Sequence, residues 1–162
     1  MPDRIRPTLE LPPVFAAELN DRLGRRAAAA QGASRTASWI LVLPDQLNLL
    51  LGPVSRADRH RSGIVLVESG EWLSRRPYHR QRLAWILLSQ RAFAIEASDS
   101  GFDVRVIRGD LPMVDLLRGV LAETGPLVAM EPAEREMRAE FAPLVSEGSL
   151  RFEPHDGFMT SA

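Results

Sequence analysis

Polar side chains follow two short apolar runs of this chain, and they are the first residues that could bind a ligand. Short apolar runs that end at proline or a charged residue are typical of buried strands in a parallel sheet. Groups just beyond the carboxyl ends of such strands lie where open α/β sheets bind ligands. The first run ends at Leu43 and is followed by Pro44, Asp45 and Gln46, and the second is followed by Glu131 and Pro132. Asp45 either contacts a ligand or caps the turn that follows it.

A carboxylate and an indole lie close together after another apolar run. Glu68 ends that run, and Glu71 and Trp72 follow it. A flat heteroaromatic ligand suits this combination, because the carboxylate accepts a hydrogen bond and the indole stacks on the ring. The alternative is a surface glutamate with a tryptophan packed on the first turn of a helix. Residues 78–82, YHRQR, bring basic groups to a helix N-terminus, which either binds an anion or is simply solvated.

The composition excludes several kinds of chemistry. All 20 basic residues are arginine, so the chain has no lysine for a Schiff base or a phosphate loop. It has no cysteine, which excludes thiolate nucleophiles, zinc–thiolate sites and cysteine-ligated iron–sulfur clusters. The three histidines fall in unrelated segments, and we expect no metal site. The net charge of −1 predicts weak or no binding to DNA. With no membrane-spanning run and no signal-peptide core, the predicted location is the cytoplasm.

Strands that alternate with helices along the chain predict βαβ units and a parallel sheet. Residues 1–36 read as an N-terminal extension, helical or partly disordered. In it Phe15, Leu19 and Leu23 are spaced to share one helix face. The predicted strands are 39–43, 64–68, 102–107, 127–130 and 150–153, and the predicted helices are 78–98, 113–123 and 133–147. Residues 53–63 and 69–77 are predicted to be loops. Within the last helix, Glu134 and Arg138 are expected to form an i,i+4 pair.

The helix 78–98 is apolar almost all round between Leu83 and Ile95. Such a helix is buried on more than one side. We expect either the N-terminal extension or a second copy of the chain to cover its outer face. A homodimer with Trp85 as its anchor is the favoured form.

The order of these segments resembles the photolyase-related proteins, in the branch of bacterial cryptochromes and (6-4) photolyases that carry an iron–sulfur cluster. WILVLPDQL, which begins at Trp39, resembles their first strand and [GP]DQL turn. VLVES is similar to their second strand. YHRQRLAWILLSQRAFA, which begins at Tyr78, resembles their HHKxKxxxxxSAMRHFA helix. GFDVRVIR, MEPAERE and DGFMTS are similar to their GFxVRYxR, TEPxEWR and RFLxS segments. The resemblance runs in register to about Ser161.

The resemblance implies that residues 37–162 form a photolyase-like N-terminal α/β domain. This domain is a doubly wound, Rossmann-like sheet of five parallel strands in the order 3-2-1-4-5, with helices on both faces. In relatives the crevice between strands one and four holds an antenna chromophore, a ribityllumazine. The family carboxylate that contacts the lumazine aligns with Trp72, next to Glu71, and the family glycine before DQL is Pro44. The candidate cofactor-binding residues are therefore Leu43, Pro44, Asp45, Gln46, Glu68, Glu71, Trp72, Ile86, Glu131 and Pro132.

The expected function is that of an antenna-type domain that binds a small lumazine-, flavin- or nucleotide-like ligand and catalyses nothing by itself. The flavin and the iron–sulfur cluster of relatives belong to a helical C-terminal domain that this sequence does not contain. We therefore expect no FAD, no cluster and no lesion repair from this chain. Two alternatives are a protein-interaction or scaffold module whose ligand site has decayed, and a small α/β enzyme. The enzyme is least favoured, because no nucleophile–base pair is visible.

Overall fold

The computed structural model describes residues 36–156, together with the isolated positions Ala17 and Asp21, which are helical. The remainder of the predicted N-terminal extension and the DGFMTS segment beyond residue 156 lie outside the described residues. The elements in chain order are β1 (Ser38–Leu41), α1 (Gly52–Arg56), β2 (Ser62–Ser69), α2 (Gly70–Ser74), α3 (Arg80–Asp99), β3 (Asp103–Gly109), α4 (Met113–Thr124), β4 (Leu127–Met130), α5 (Arg135–Ser146) and β5 (Leu150–Glu153).

The five strands form one all-parallel sheet in the order β3-β2-β1-β4-β5. The predicted fold class and strand order are therefore confirmed. β1 pairs with β2 on one side and with β4 on the other, with Trp39 opposite both Gly63 and Leu127. The direction of chain progression across the sheet reverses at β1, so the β1–β4 boundary is the switch point of the fold.

Alternation along the strands divides the core between the two faces of the sheet. Leu41 and Leu43 pack with residues of α4 and α5 on one face. Ile40 and Val42 pack with residues of α1 and α3 on the other. Because helices cover both faces, the central strands are apolar on both sides.

Two predicted loops contain short helices instead. Residues 53–63 were expected to be a polar loop, but α1 occupies its first part, with Pro53 near the helix start, where its missing N–H costs nothing. Residues 69–77 were likewise expected to be a loop, but α2 begins directly after β2. The Ser69 hydroxyl accepts a hydrogen bond from the Trp72 N–H (3.1 Å) and caps this helix.

The long helix α3 is less covered than its composition predicts. Its second half is buried through residues such as Phe93, Ala94 and Ala97. In its first half Trp85 is 73% exposed and Leu88 is 45% exposed. No helix in the described part of the chain is long and apolar enough to cross a membrane.

A glycine in β2 makes room for the only tryptophan of the core strands. A Cβ at Gly63 would lie 2.3 Å from Cε3 of Trp39. The Trp39 indole is almost fully buried, and the guanidinium of Arg105 lies 4.7 Å from its ring centre. The indole is thus held between the backbone of one neighbour strand and a cation from the next, and it cannot retreat from an added methyl group.

We expect Gly63→Ala to lower the free energy of unfolding by about 1–3 kcal/mol, because it overpacks this contact. Urea unfolding of the full chain measures the change. Gly119→Ala in α4 is the matched control, because nothing lies within 4 Å of its Cβ position. Alanine there should be neutral or stabilising, since it is the better helix former. Equal effects of the two substitutions would contradict the packing described for Trp39.

Candidate functional site

The Gln46 side chain joins the carboxyl ends of the two strands at the switch point. It is buried, and its Nε2 donates hydrogen bonds to the carbonyl oxygens of Met130 (3.2 Å) and Glu131 (3.3 Å). The Gln46 N–H donates to the carbonyl of Leu43 (2.9 Å), which closes the turn after β1. Gln46 therefore fixes the geometry of the β1–β4 boundary, because its side-chain amide donates its hydrogen bonds to backbone carbonyls.

The two carboxylates predicted at this boundary are both exposed to solvent. Asp45 makes no hydrogen bond to the described residues, so the proposed turn cap is absent there. Glu131 lies 3.8 Å from Nε of Arg138, which also donates to the carbonyls of Pro132 and Ala133. Arg138 thus pairs with the loop after β4.

Glu134 was predicted to pair with Arg138, and this prediction is wrong. Its carboxylate lies 3.9 Å from Arg76, a residue of the loop after α2. The tertiary contact takes the place of the local one.

Glu68 lies in a buried ion-pair network and does not meet Trp72. Its two oxygens accept hydrogen bonds from Arg91 at 2.9 and 3.1 Å, and Arg108 contributes a third contact at 3.1 Å. The Glu68 and Arg91 side chains are almost fully buried on the α3 face of the sheet. Trp72 packs on the opposite face, against the α4–α5 core. The predicted carboxylate–indole pair is therefore not formed by Glu68.

A cavity of about 260 Å³ lies between α2 and α5 on the Trp72 side of the sheet. Because α2 follows β2 and α5 follows β4, the two helices flank the carboxyl end of β1. The cavity thus lies at the carboxyl ends of the central strands, near the β1–β4 boundary where the sequence predicts a ligand site. Its lining consists of aromatic, basic and acidic side chains and one methionine: Trp72, Arg75, Arg76, Tyr78, Glu134, Glu136, Met137 and Glu140. We call it the α2–α5 cavity.

Two arginines join the walls of the α2–α5 cavity. Arg75 bonds to Glu71 through Nε (2.8 Å) and to Glu140 of α5 through Nη1 (2.5 Å). These hydrogen bonds, first with Glu71 and then with Glu140, raise the pKa of Arg75 above its usual range. Arg76 reaches Glu136 of α5 at 2.9 Å, and this contact raises the pKa of Arg76. Both arginines therefore remain cationic at any physiological pH.

One acidic oxygen in the cavity lining has no partner. Oε2 of Glu140 accepts the bond from Arg75, whereas Oε1 of Glu140 is buried and has no hydrogen-bond partner among the described residues. Buried polar atoms are rarely left unsatisfied, because desolvation without a hydrogen bond costs about 1–3 kcal/mol. Oε1 is therefore an unsatisfied acceptor within a residue that lines the cavity.

Aromatic side chains line the same cavity. Trp72 is half-buried, with its ring packed on the core of the α4–α5 face. Tyr78 is half-buried, and the guanidinium of Arg82 lies 4.9 Å from its ring centre. Aromatic faces beside an unpaired acceptor form the kind of lining that binds small planar ligands.

The structure brings together only part of the predicted binding set. Trp72 lines the α2–α5 cavity, and Glu71 borders it through Arg75. Leu43 is a core residue, and Ile86 is half-buried on α3. Asp45 and Glu131 are exposed at the β1–β4 boundary.

The sequence analysis did not predict the acidic side of the cavity, which Glu136 and Glu140 form. Glu136, Met137 and Glu140 share one face of α5, and this i, i+1, i+4 spacing was the available signal. No group of three or more histidine, aspartate or glutamate side chains in residues 36–156 is arranged to hold a metal ion.

The sequence matches the model of one protein family. No curated protein gave a match to the sequence. A model of one family, described as "Deoxyribodipyrimidine photo-lyase-related protein", matches residues 40–162. The matched range begins in β1 and includes every later element of the sheet. This chain belongs to the deoxyribodipyrimidine photo-lyase-related protein family.

Proposed function

We propose that this chain is an antenna-type domain that binds a small planar heteroaromatic ligand in the α2–α5 cavity. The ligand class is that of the lumazines, with a ribityllumazine as the favoured member. In this proposal the chain holds and orients a chromophore and catalyses no reaction by itself. Membership of a photolyase-related family supports a role connected with light, and the cavity supports a bound ring.

The observation that carries the proposal is the unpaired Oε1 of Glu140. Lumazines and flavins carry an imide N–H between two carbonyl groups. A carboxylate accepts a hydrogen bond from such an N–H, and a neighbouring guanidinium donates to the adjacent carbonyl. Glu140 and Arg75 lie side by side. Rotation of the Glu140 carboxylate would turn the buried Oε1 towards the ring and complete this acceptor–donor pair. Trp72 and Tyr78 offer faces on which the ring can stack.

The size of the cavity favours a bicyclic ring over a dinucleotide. Sites for drug-sized ligands have volumes of roughly 300–1,000 Å³. At about 260 Å³, the α2–α5 cavity lies just below this range. It therefore suits one small ring system, with the ribityl chain directed towards solvent and the exposed carboxylates of the β1–β4 boundary.

We expect Glu140→Gln to weaken the binding of ribityllumazine by roughly tenfold, because the amide loses the charge that strengthens the hydrogen bond. Equilibrium dialysis of the full chain against ribityllumazine measures the dissociation constant. Glu147→Gln is the matched control. It changes another glutamate near the end of α5 whose pKa is lowered by Arg118, on the surface and away from the cavity. This control should bind as the unchanged chain does.

Two results would contradict the proposal. The first is that the unchanged chain does not bind ribityllumazine in dialysis. The second is that both variants bind with equal affinity, which would place the ligand outside the α2–α5 cavity.

The alternative role as an interaction module is favoured by a different observation, the exposure of apolar side chains on α3. This surface lies on the other face of the sheet from the α2–α5 cavity. The exposed apolar residues Trp85 and Leu88 are not among those that line the α2–α5 cavity.

A further inference from the structure

One side of α3 carries a continuous stripe of exposed residues with an apolar centre. Successive residues of an α-helix are about 100° apart, so positions spaced by three or four fall on one side. The exposed residues with this spacing are Gln81, Trp85, Leu88, Ala92 and Glu96, which we call the α3 stripe. It faces away from the side of α3 that packs on the sheet through Phe93 and Ala97.

The α3 stripe has opposite charges at its two ends. Arg82 lies beside its N-terminal end and Glu96 lies at its C-terminal end. Neither side chain forms an ion pair within the part of the chain that the structure describes. The large Trp85 side chain lies on one side of Leu88, and the small Ala92 lies on the other. The N-terminal end of the stripe is thus basic with a large side chain, and its C-terminal end is acidic with a small one.

We propose that the α3 stripe binds the same stripe of a second copy of this chain, with the two helices antiparallel. A two-fold axis makes an interface self-complementary only if each feature meets its complement in the other copy. In the antiparallel arrangement the basic end of each stripe meets the acidic end of the other. A parallel arrangement would place the two copies of Arg82 together, which like-charge repulsion disfavours.

The positions along the helix satisfy this arrangement at one register. Arg82 and Glu96 are separated by 14 residues, or about 21 Å along the axis, and their midpoint lies at Ser89. A two-fold axis there brings both Arg82–Glu96 pairs together at once. The same axis sets each Trp85 beside the short side chains around Ala92 of the second copy, which leave space for an indole.

The contact is small, and this determines the affinity. Specific interfaces bury about 1,200–2,000 Å² in total, and a pair of single-helix stripes reaches only the lower end of this range. We expect dimerisation in the micromolar range, with Trp85 as the dominant contact, since buried tryptophans contribute most to interfaces.

Sedimentation equilibrium of the full chain tests the proposal. Trp85→Ser should raise the dimer dissociation constant by roughly 100-fold, because symmetry removes two anchors. Arg82→Glu alone should raise it about tenfold, and the exchange Arg82→Glu with Glu96→Arg should restore it. Both exchanged charges suit the helix dipole, so a loss of α3 would not explain weaker association. Leu50→Ser is the control, because Leu50 is 77% exposed outside α3.

Three results would overturn the proposal. The first is a chain that stays monomeric at about 100 µM, well above the expected micromolar dissociation constant. The second is a dimer that Trp85→Ser leaves intact. The third is a charge exchange that weakens association as much as Arg82→Glu alone. Loss of the dimer in Leu50→Ser would likewise move the interface away from the α3 stripe.

Discussion

Glu68→Ala is expected to lower the free energy of unfolding by about 3–5 kcal/mol, which is a large part of the stability of a small domain. The substitution leaves Arg91 buried without its bidentate partner, because the Arg91 side chain is only 4% exposed. Arg108, at 32% exposed, can turn towards solvent. Most of the loss therefore comes from one unpaired guanidinium.

Urea unfolding of the full chain measures this loss. The double substitution Glu68→Met with Arg91→Met should recover most of the stability, since apolar side chains of similar volume can replace a buried ion pair. Glu147→Ala, at the surface ion pair with Arg118, should not change the stability measurably. If Glu68→Ala behaved like this control, the Glu68–Arg91–Arg108 network would have no role in holding α3 on the sheet.

Trp72→Ala is expected to weaken ribityllumazine binding by roughly 10- to 100-fold, the range found when stacked aromatic side chains are removed. Trp72→Phe should retain most of the affinity, because a smaller ring face remains in the α2–α5 cavity. Quenching of lumazine fluorescence on titration with the full chain measures both, and circular dichroism confirms that the variants are folded.

Trp85→Ala is the control for this prediction, because its indole is 73% exposed on α3. It should bind ribityllumazine as the unchanged chain does. If Trp72→Ala bound as tightly as this control, the ring would not stack on Trp72.

The sheet was predictable because every strand has a local signal. Apolar runs mark β1, β2 and β4, whereas apolar residues alternate with charged ones in β3 and β5. The predicted strand 127–130 coincides with β4. The order of strands came from the resemblance and not from periodicity, because pairing between distant strands leaves no pattern in any one segment. The short helix α2 was missed because five residues are too few to show a 3.6-residue period.

The role of Glu68 could not be read from its position at a strand end. Its partner Arg91 is 23 positions later, in the middle of an otherwise apolar helix. A buried arginine needs a carboxylate partner, but nothing in the sequence near Arg91 indicates that the partner is Glu68. Alternation along β2 does place Glu68 on the same face as Leu66, but Trp72 lies beyond the strand, on α2, where the rule does not apply.

Only part of the lining of the α2–α5 cavity could be predicted from the sequence. Trp72 aligned with a family ligand contact, and the cavity includes it. The pairing of Arg75 and Arg76 was not predicted: they bond to Glu140 and Glu136, which lie 65 and 60 positions away. Contacts across such separations depend on the packing of α2 and α5, which the sequence of either helix does not contain.

A crystal structure of the full chain grown with ribityllumazine is the most direct test of the proposed site. We predict electron density for the ring inside the α2–α5 cavity, against the face of Trp72 or Tyr78, with its imide nitrogen within hydrogen-bonding distance of Oε1 of Glu140. Density for the lumazine at another place on the chain, with Oε1 of Glu140 still unpartnered, would contradict the proposal.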